Sequence, residues 1–215
     1  MHKSSIIVFN EHLFIVQQGV HILVNTGSPY SFGRSVIEWR GQQLDLCEGL
    51  ELIDLDELSE GMGVRVDGVL GAEHLLEGPI FISMIEEQLT VGVEQGVATV
   101  PIVQILIDGV LRNVMVDTAA KQSFVAPHLA KESTRAGMVQ DYHMSSGSFE
   151  AELISAHTIT DHGTIPLKIA VAPACLKPLF DQYEIDFVVG LDHLLAEPSL
   201  LTSNSINPML SVELL

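Results

Sequence analysis

Cysteine, basic residues and long apolar runs are all scarce in this chain, and each scarcity excludes a class of protein. The two cysteines, Cys47 and Cys175, lie far apart and outside any CxxC or metal-ligand pattern. Neither a disulfide framework nor a thiolate metal site is expected; two reduced, half-buried thiols are. Ten basic residues stand against 28 acidic ones, a formal net charge of −18, which repels nucleic acid and anionic lipid. No apolar run reaches the ~18 residues of a membrane-spanning helix; the longest, 97–106, is soon followed by Asp108. The early apolar stretch Ile6-Ile7-Val8-Phe9 runs at once into Asn10-Glu11-His12, too brief for a secretory signal, so the expected compartment is cytoplasmic. There is no P-loop and no Ser-His-Asp signature, and Gly61, Gly63 and Gly68 miss the GxGxxG spacing. No cofactor, metal, nucleic-acid or membrane partner is expected.

What is abundant is apolar residues, 47% of 215, set out as short runs between turn residues. Runs at 6–9, 13–17 and 20–24, broken by Asn10-Glu11 and Gln17-Gln18-Gly19, predict a β-meander. Residues 36–39 and 43–46 flank Arg40-Gly41-Gln42, a second hairpin with the sole tryptophan, Trp39, beside its tip. Asp54-Leu55-Asp56-Glu57 predicts a helix N-terminus, with Gly61 or Gly63 at its end. Its carboxylates (Asp54, Asp56, Glu57, Glu60) read as a solvated helix face, because Arg65 stands where the twelfth position of a calcium loop needs a bidentate Glu. Asp108-Gly109 between apolar runs is a strong hairpin signal.

Two stretches occur twice, in the same order. Ile22-Leu23-Val24-Asn25-Thr26-Gly27-Ser28-Pro29-Tyr30-Ser31-Phe32 matches Val114-Met115-Val116-Asp117-Thr118-Ala119-Ala120-Lys121-Gln122-Ser123-Phe124. Val66-Asp67-Gly68-Val69-Leu70-Gly71-Ala72-Glu73-His74-Leu75-Leu76 matches Ile185-Asp186-Phe187-Val188-Val189-Gly190-Leu191-Asp192-His193-Leu194-Leu195. A duplicated unit of roughly 100 residues is near the lower size for an independent core, so two lobes sharing an interface are expected. They cover 1–94 and 97–215, joined near 92–99. His74 and His193 at matched positions read as structural helix-turn residues, since two ligands do not make a zinc site.

The doubled turn resembles that of the aspartic peptidases, in which an Asp-Thr-Gly from each of two similar lobes brings two carboxylates together and a later apolar-apolar-Gly segment braces each turn. The resemblance implies an all-β, two-lobed acid-protease-like β-barrel fold with short helices and a pseudo-twofold axis. It is closer in size to two fused retropepsin-like lobes than to a full pepsin. It assigns the catalytic positions to Asp117 and Asn25, with Thr26, Thr118, Gly27 and Ala119 supporting them. Chemically, two close carboxyls cannot both ionise, so one acts as base toward a shared water while the other donates to the scissile carbonyl. Asn25 can donate a hydrogen bond but cannot pass a proton. Losing the acid role costs on the order of 10²–10⁴ in rate. Ala119 also departs from the family's glycine.

Sixty-six residues separate Ala119 from Asp186, whereas 39 separate Gly27 from Asp67, a surplus of 27. It falls in 138–173, where two apolar runs surround Ser145-Ser146-Gly147-Ser148. The family's flap over bound peptide is such a hairpin, so Ser145, Ser146 and Gly147 are candidate substrate-contacting residues, as is Trp39 on a reduced counterpart. Three functions remain open: a peptidase whose position 25 is Asp in its active form, a non-catalytic peptide-binding or scaffold protein, and a structural homo-oligomer, a homodimer for example, using strands near 89–91 and 210–215. The expected partner is a peptide or protein.

Overall fold

The computed structural model of the chain describes residues 2–47, 53–76, 80–83, 88–91, 100–144, 146–160, 163–194, 199–202, 205–206 and 211–215. Most of them are in strands. In the first half these are β1 (His2–Phe9), β2 (His12–Gln17), β3 (Val20–Val24), β4 (Phe32–Gly33), β5 (Val36–Trp39), β6 (Gln42–Asp45), β7 (Gly68–Leu70), β8 (Ile80–Ser83) and β9 (Gln88–Val91). The second half adds β10 (Ile102–Ile107), β11 (Val110–Val116), β12 (Phe124–Val125), β13 (Arg135–His143), β14 (Gly147–Thr160) and β15 (Gly163–Val171). It ends with β16 (Phe187–Val189), β17 (Ser199–Thr202), β18 (Ser205–Ile206) and β19 (Ser211–Leu214). Four short helices interrupt them: α1 (Leu55–Met62), α2 (Ala72–Leu75), α3 (Lys177–Tyr183) and α4 (Leu191–Leu194).

Two large sheets result. One runs β18-β17-β8-β9-β1-β2-β3-β7-β4 and the other β13-β14-β15-β12-β16-β11-β10-β19. The repeated sequence blocks build the same unit in each. β3 pairs parallel with β7 (Val24↔Leu70) and β11 pairs parallel with β16 (Val116↔Val189). The short strand after each turn, β4 or β12, then pairs antiparallel with that same partner. The first sheet also contains chain from the other half, because β17 pairs with β8. The 92–99 linker lies outside the described residues.

Local chemistry accounts for the elements. β10 alternates, with Val103, Ile105 and Ile107 buried and Gln104 and Leu106 exposed, the period-2 pattern of a half-buried strand. Its turn to β11 has φ of 49° at Asp108 and 74° at Gly109, positive at both central residues as a right-twisted two-residue hairpin requires. Asp54 caps α1 by accepting from the Asp56 and Glu57 amides, and Gly63 closes it in the left-handed region at φ 64°. Val24, Leu70, Val116 and Val189 share one core cluster, so the strands that carry the two turns are packed into the same apolar interior.

Several expectations are refined. The surplus in the second half is three long strands, β13 to β15, rather than a hairpin alone, and β14 is long enough to pair with β19 as well. Helix α3, opened by Pro178 in its first turn, has no counterpart in the sequence reading. Both cysteines are free, but exposed rather than half-buried. No helix among the described residues is long and apolar enough to cross a membrane.

Candidate functional site

Asn25 and Asp117 hang from the ends of β3 and β11, and the residues after them lock the two turns together. Thr26 N–H donates to Thr118 Oγ1 at 3.1 Å and Thr118 N–H donates to Thr26 Oγ1 at 3.0 Å. Each hydroxyl then donates across the junction, Thr26 to the Val116 carbonyl at 2.7 Å and Thr118 to the Val24 carbonyl at 2.8 Å. Both threonines are fully buried. Both N–H groups and both hydroxyls of the pair are therefore used by the opposite half, as buried polar groups require.

The bracing segments explain why serine and glycine recur in both copies. The Gly71 N–H donates to Ser31 Oγ at 2.8 Å, and the Gly190 N–H donates to Ser123 Oγ at 3.0 Å. A Cβ on Gly71 would lie 2.3 Å from the Tyr30 carbonyl oxygen, and one on Gly190 would lie 2.6 Å from the Gln122 carbonyl. Only glycine lets these backbones approach so closely. The matched histidines serve the same scaffold: His74 Nδ1 is 2.9 Å from Ser31 Oγ, and His193 Nε2 is 2.5 Å from Thr158 Oγ1. Burial lowers the His193 pKa to about 4, so the ring is neutral.

Gly27 measures how near the halves come. A Cβ there would fall 2.4 Å from Asp117 Cγ, so the Asp117 carboxyl occupies the space a side chain on Gly27 would need. Asp117 Oδ1 accepts from the Ala119 N–H at 2.9 Å and the Ala120 N–H at 3.2 Å; the methyl of Ala119 does not prevent that contact. Burial raises the Asp117 pKa, opposed chiefly by the Ala119 amide and the charge of His143. On the other side, Asn25 Oδ1 accepts from the Ser28 N–H at 2.9 Å. That assignment leaves the Asn25 NH₂, a donor only, as the group not engaged by its own turn.

The β13–β14 hairpin covers this centre. Asp141, Tyr142, His143, Met144 and Phe149 line one cavity with Asn25 and Asp117. Its volume is about 70 Å³, room for roughly two waters at ~30 Å³ each. A wider groove of about 600 Å³ opens beside it, sharing His12, Met62, Asp141, Tyr142 and Phe149 and edged by Lys121 and Glu150. Volumes of ~300–1,000 Å³ are typical of ligand sites.

Residues expected at the site divide accordingly. Asn25, Gly27, Asp117 and Ala119 line the cavity, with Thr26 and Thr118 beneath them. Ser145 lies outside the described residues. Ser146 is exposed and donates its N–H to the His143 carbonyl at 3.0 Å, Gly147 turns the chain at φ 70°, and neither lines the cavity. Trp39 does not line it either; it is 4% exposed within the main core. The β5 strand that carries it is held back against β2, where the Gln17 side chain bonds both backbone groups of Glu38.

The sequence reading missed His12, Asp141, Tyr142, His143 and Phe149. A signal was present: on a strand through 139–143, alternate residues Val139, Asp141 and His143 share a face, and two titratable residues on it are unusual for a core. His12 Nδ1 is 3.1 Å from the Ala119 carbonyl, and burial lowers its pKa. Burial raises Asp141 to about 6. Among the described residues no group of three or more His, Cys, Asp or Glu is placed to hold a metal ion. No family model matches the chain, and a search of curated proteins returned no match.

Proposed function

We propose that this chain is an aspartic-peptidase-like protein, two lobes of that fold on one chain, whose cleft binds an extended peptide and whose hydrolysis is severely impaired because Asn25 stands in place of one of two carboxyls. The carrying observation is the reciprocal bonding of Thr26 and Thr118, which holds Asn25 and Asp117 together at one cavity beneath a hairpin. The threonine pair holds the turns together whether or not they act on a peptide; what it gathers at the cavity is one carboxyl and one amide. The groove beside the cavity supplies the length for a peptide, and the hairpin supplies strand backbone to hydrogen-bond it. With one carboxyl, Asp117 can hold or release a single proton, while the Asn25 amide can orient water without exchanging protons.

Peptide binding without efficient turnover is thus the activity of the protein as it stands. Asn25 and Ala119 together favour this over an intact peptidase, since both depart from the doubled Asp-Thr-Gly. The test is binding of a fluorescent peptide carrying a secondary alcohol in place of one backbone carbonyl, a mimic of the tetrahedral intermediate. Saturable binding that weakens at least tenfold in Asp117→Ala supports the reading. Absence of binding by a folded protein, across a diverse set of such peptides, rejects it.

A further inference from the structure

The inward face of the β13–β14 hairpin carries a second proton-handling group that the two turns lack. In the hairpin register Asp141 lies opposite Phe149 and His143 opposite Gly147, so Asp141, His143 and Phe149 project from one face. Phe149 fixes which face this is: its ring centroid is 5.9 Å from that of Phe124, on the strand that follows the Asp117 turn. On the other face Ser148 and Glu150 are exposed, while Tyr142, opposite Ser148, reaches the cavity from the hairpin's side. His143 is thereby turned down into the cavity that Asp117 and Asn25 also line.

We propose that His143 is a catalytic residue of this centre, working with Asp117 as the acid–base pair that a carboxyl at position 25 would otherwise complete, and so giving the protein a slow peptide hydrolysis of its own. This rests on the peptide-cleft reading above. Burial raises the carboxyl and lowers the imidazole, each opposed by the charge of the other. The hydrolytic form is the one in which the pair holds a single proton, on Asp117, and the imidazole is free to accept another.

The step balances without any other reactant. Water loses a proton to the His143 imidazole as its oxygen bonds to the peptide carbonyl carbon, and Asp117 gives its proton to the carbonyl oxygen. The tetrahedral diol then collapses: the imidazolium protonates the amide nitrogen, the C–N bond breaks, and one diol proton returns to the Asp117 carboxylate. Both residues end as they began. The Asn25 NH₂ holds the water or the diol by donation. The titratable groups that line the same cavity as His143 are Asp117 from the turn, Asp141 and Tyr142 from its own strand and His12 from β2, and of these the charge of Asp117 acts on the imidazole.

The test is prolonged incubation of the full chain with quenched fluorogenic peptides of mixed sequence, with kcat/KM followed from pH 4 to 9. Four proteins are compared: the chain as it is, His143→Ala, Asn25→Asp, and Asn25→Asp with His143→Ala. The expected result is slow cleavage by the chain as it is, at least 100-fold slower in His143→Ala and recovered at least tenfold when free imidazole is added to that variant. Asn25→Asp should cleave with or without His143. Binding of the alcohol-bearing peptide by His143→Ala confirms that its cleft is intact. Cleavage by Asn25→Asp alone, or a rate unchanged in His143→Ala, overturns the role of His143 and leaves the peptide-cleft reading standing. If Asn25→Asp neither binds nor cleaves, both fall.

Discussion

The ring of Tyr142 lies against Gly61, so close that a methyl group on that glycine would sit 2.2 Å from Cε2 of the ring. Gly61 belongs to α1 and Tyr142 to the hairpin over the cavity. The first half of the chain thus carries a notch that receives the lid grown from the second half. The cavity that Tyr142 helps to line holds about 70 Å³ in this arrangement.

Gly61→Ala tests the notch. Alanine favours the helix by about 1 kcal/mol over glycine, so α1 should persist while the tyrosine ring is displaced. Hydrogen exchange across 138–152 should accelerate about tenfold, with the amides of β3 and β11 unchanged. Unchanged exchange in the hairpin would show that Tyr142 does not hold it down.

The threonine pair gives a prediction about stability. Thr26→Val or Thr118→Val keeps the shape but leaves a buried N–H and a buried carbonyl of the other half without partners, at about 1–3 kcal/mol per group. Each single variant should lose about 2 to 6 kcal/mol in denaturant unfolding. The two changes orphan different backbone groups, the Thr118 N–H and Val116 carbonyl in one and the Thr26 N–H and Val24 carbonyl in the other, so the double variant should lose close to the sum. A loss well short of the sum would mean that the two turns already part when either hydroxyl is gone.

Asp141 makes the hairpin sensitive to pH. Burial raises it to about 6, opposed by the Tyr142 amide and Lys121 and assisted by Asp117 and Asp192; in the open chain a carboxyl of this kind titrates near ~3.9. A folded-state pKa above the unfolded one means stabilisation that is complete below about pH 4 and fades as pH rises through about 6. The full shift corresponds to about 3 kcal/mol, a ceiling because an opened hairpin rehydrates the group. Hairpin protection, corrected for intrinsic exchange, should fall from pH 4 to pH 7, and Asp141→Asn should flatten that dependence. A hairpin whose protection is the same at both pH values in both proteins contradicts it.

The parts of this arrangement that were legible in the sequence are those encoded by local repetition. Ser31 with Ser123 and Gly71 with Gly190 recur in frame because each copy bonds its turn to its own bracing segment, and Thr26 with Thr118 because each bonds the turn of the other copy. The short strands and the Asp108-Gly109 turn follow from alternation and backbone preference. What was not legible depends on contacts across the chain. Trp39 reads as a hairpin-tip residue, yet it is drawn into the core because Gln17 clamps its strand. Tyr142 has meaning only against Gly61, a residue 81 positions earlier. His143 and Asp141 became site residues through the register of β13 against β14, which period-2 patterning hints at and the seating of Phe149 on Phe124 fixes.

On the proposed function, Asn25 and Asp117 form a peptide-cleaving centre with one carboxyl missing, and Asn25→Asp restores it. A second carboxyl beside Asp117 makes a pair that shares one proton. The most direct measurement is the rate at which purified Asn25→Asp cleaves an unstructured peptide library between acid and neutral pH, relative to the unaltered chain. A gain on the order of 10²–10⁴, abolished by adding Asp117→Asn, is the predicted result. A variant that folds and binds peptide but cleaves nothing across that range would contradict the account.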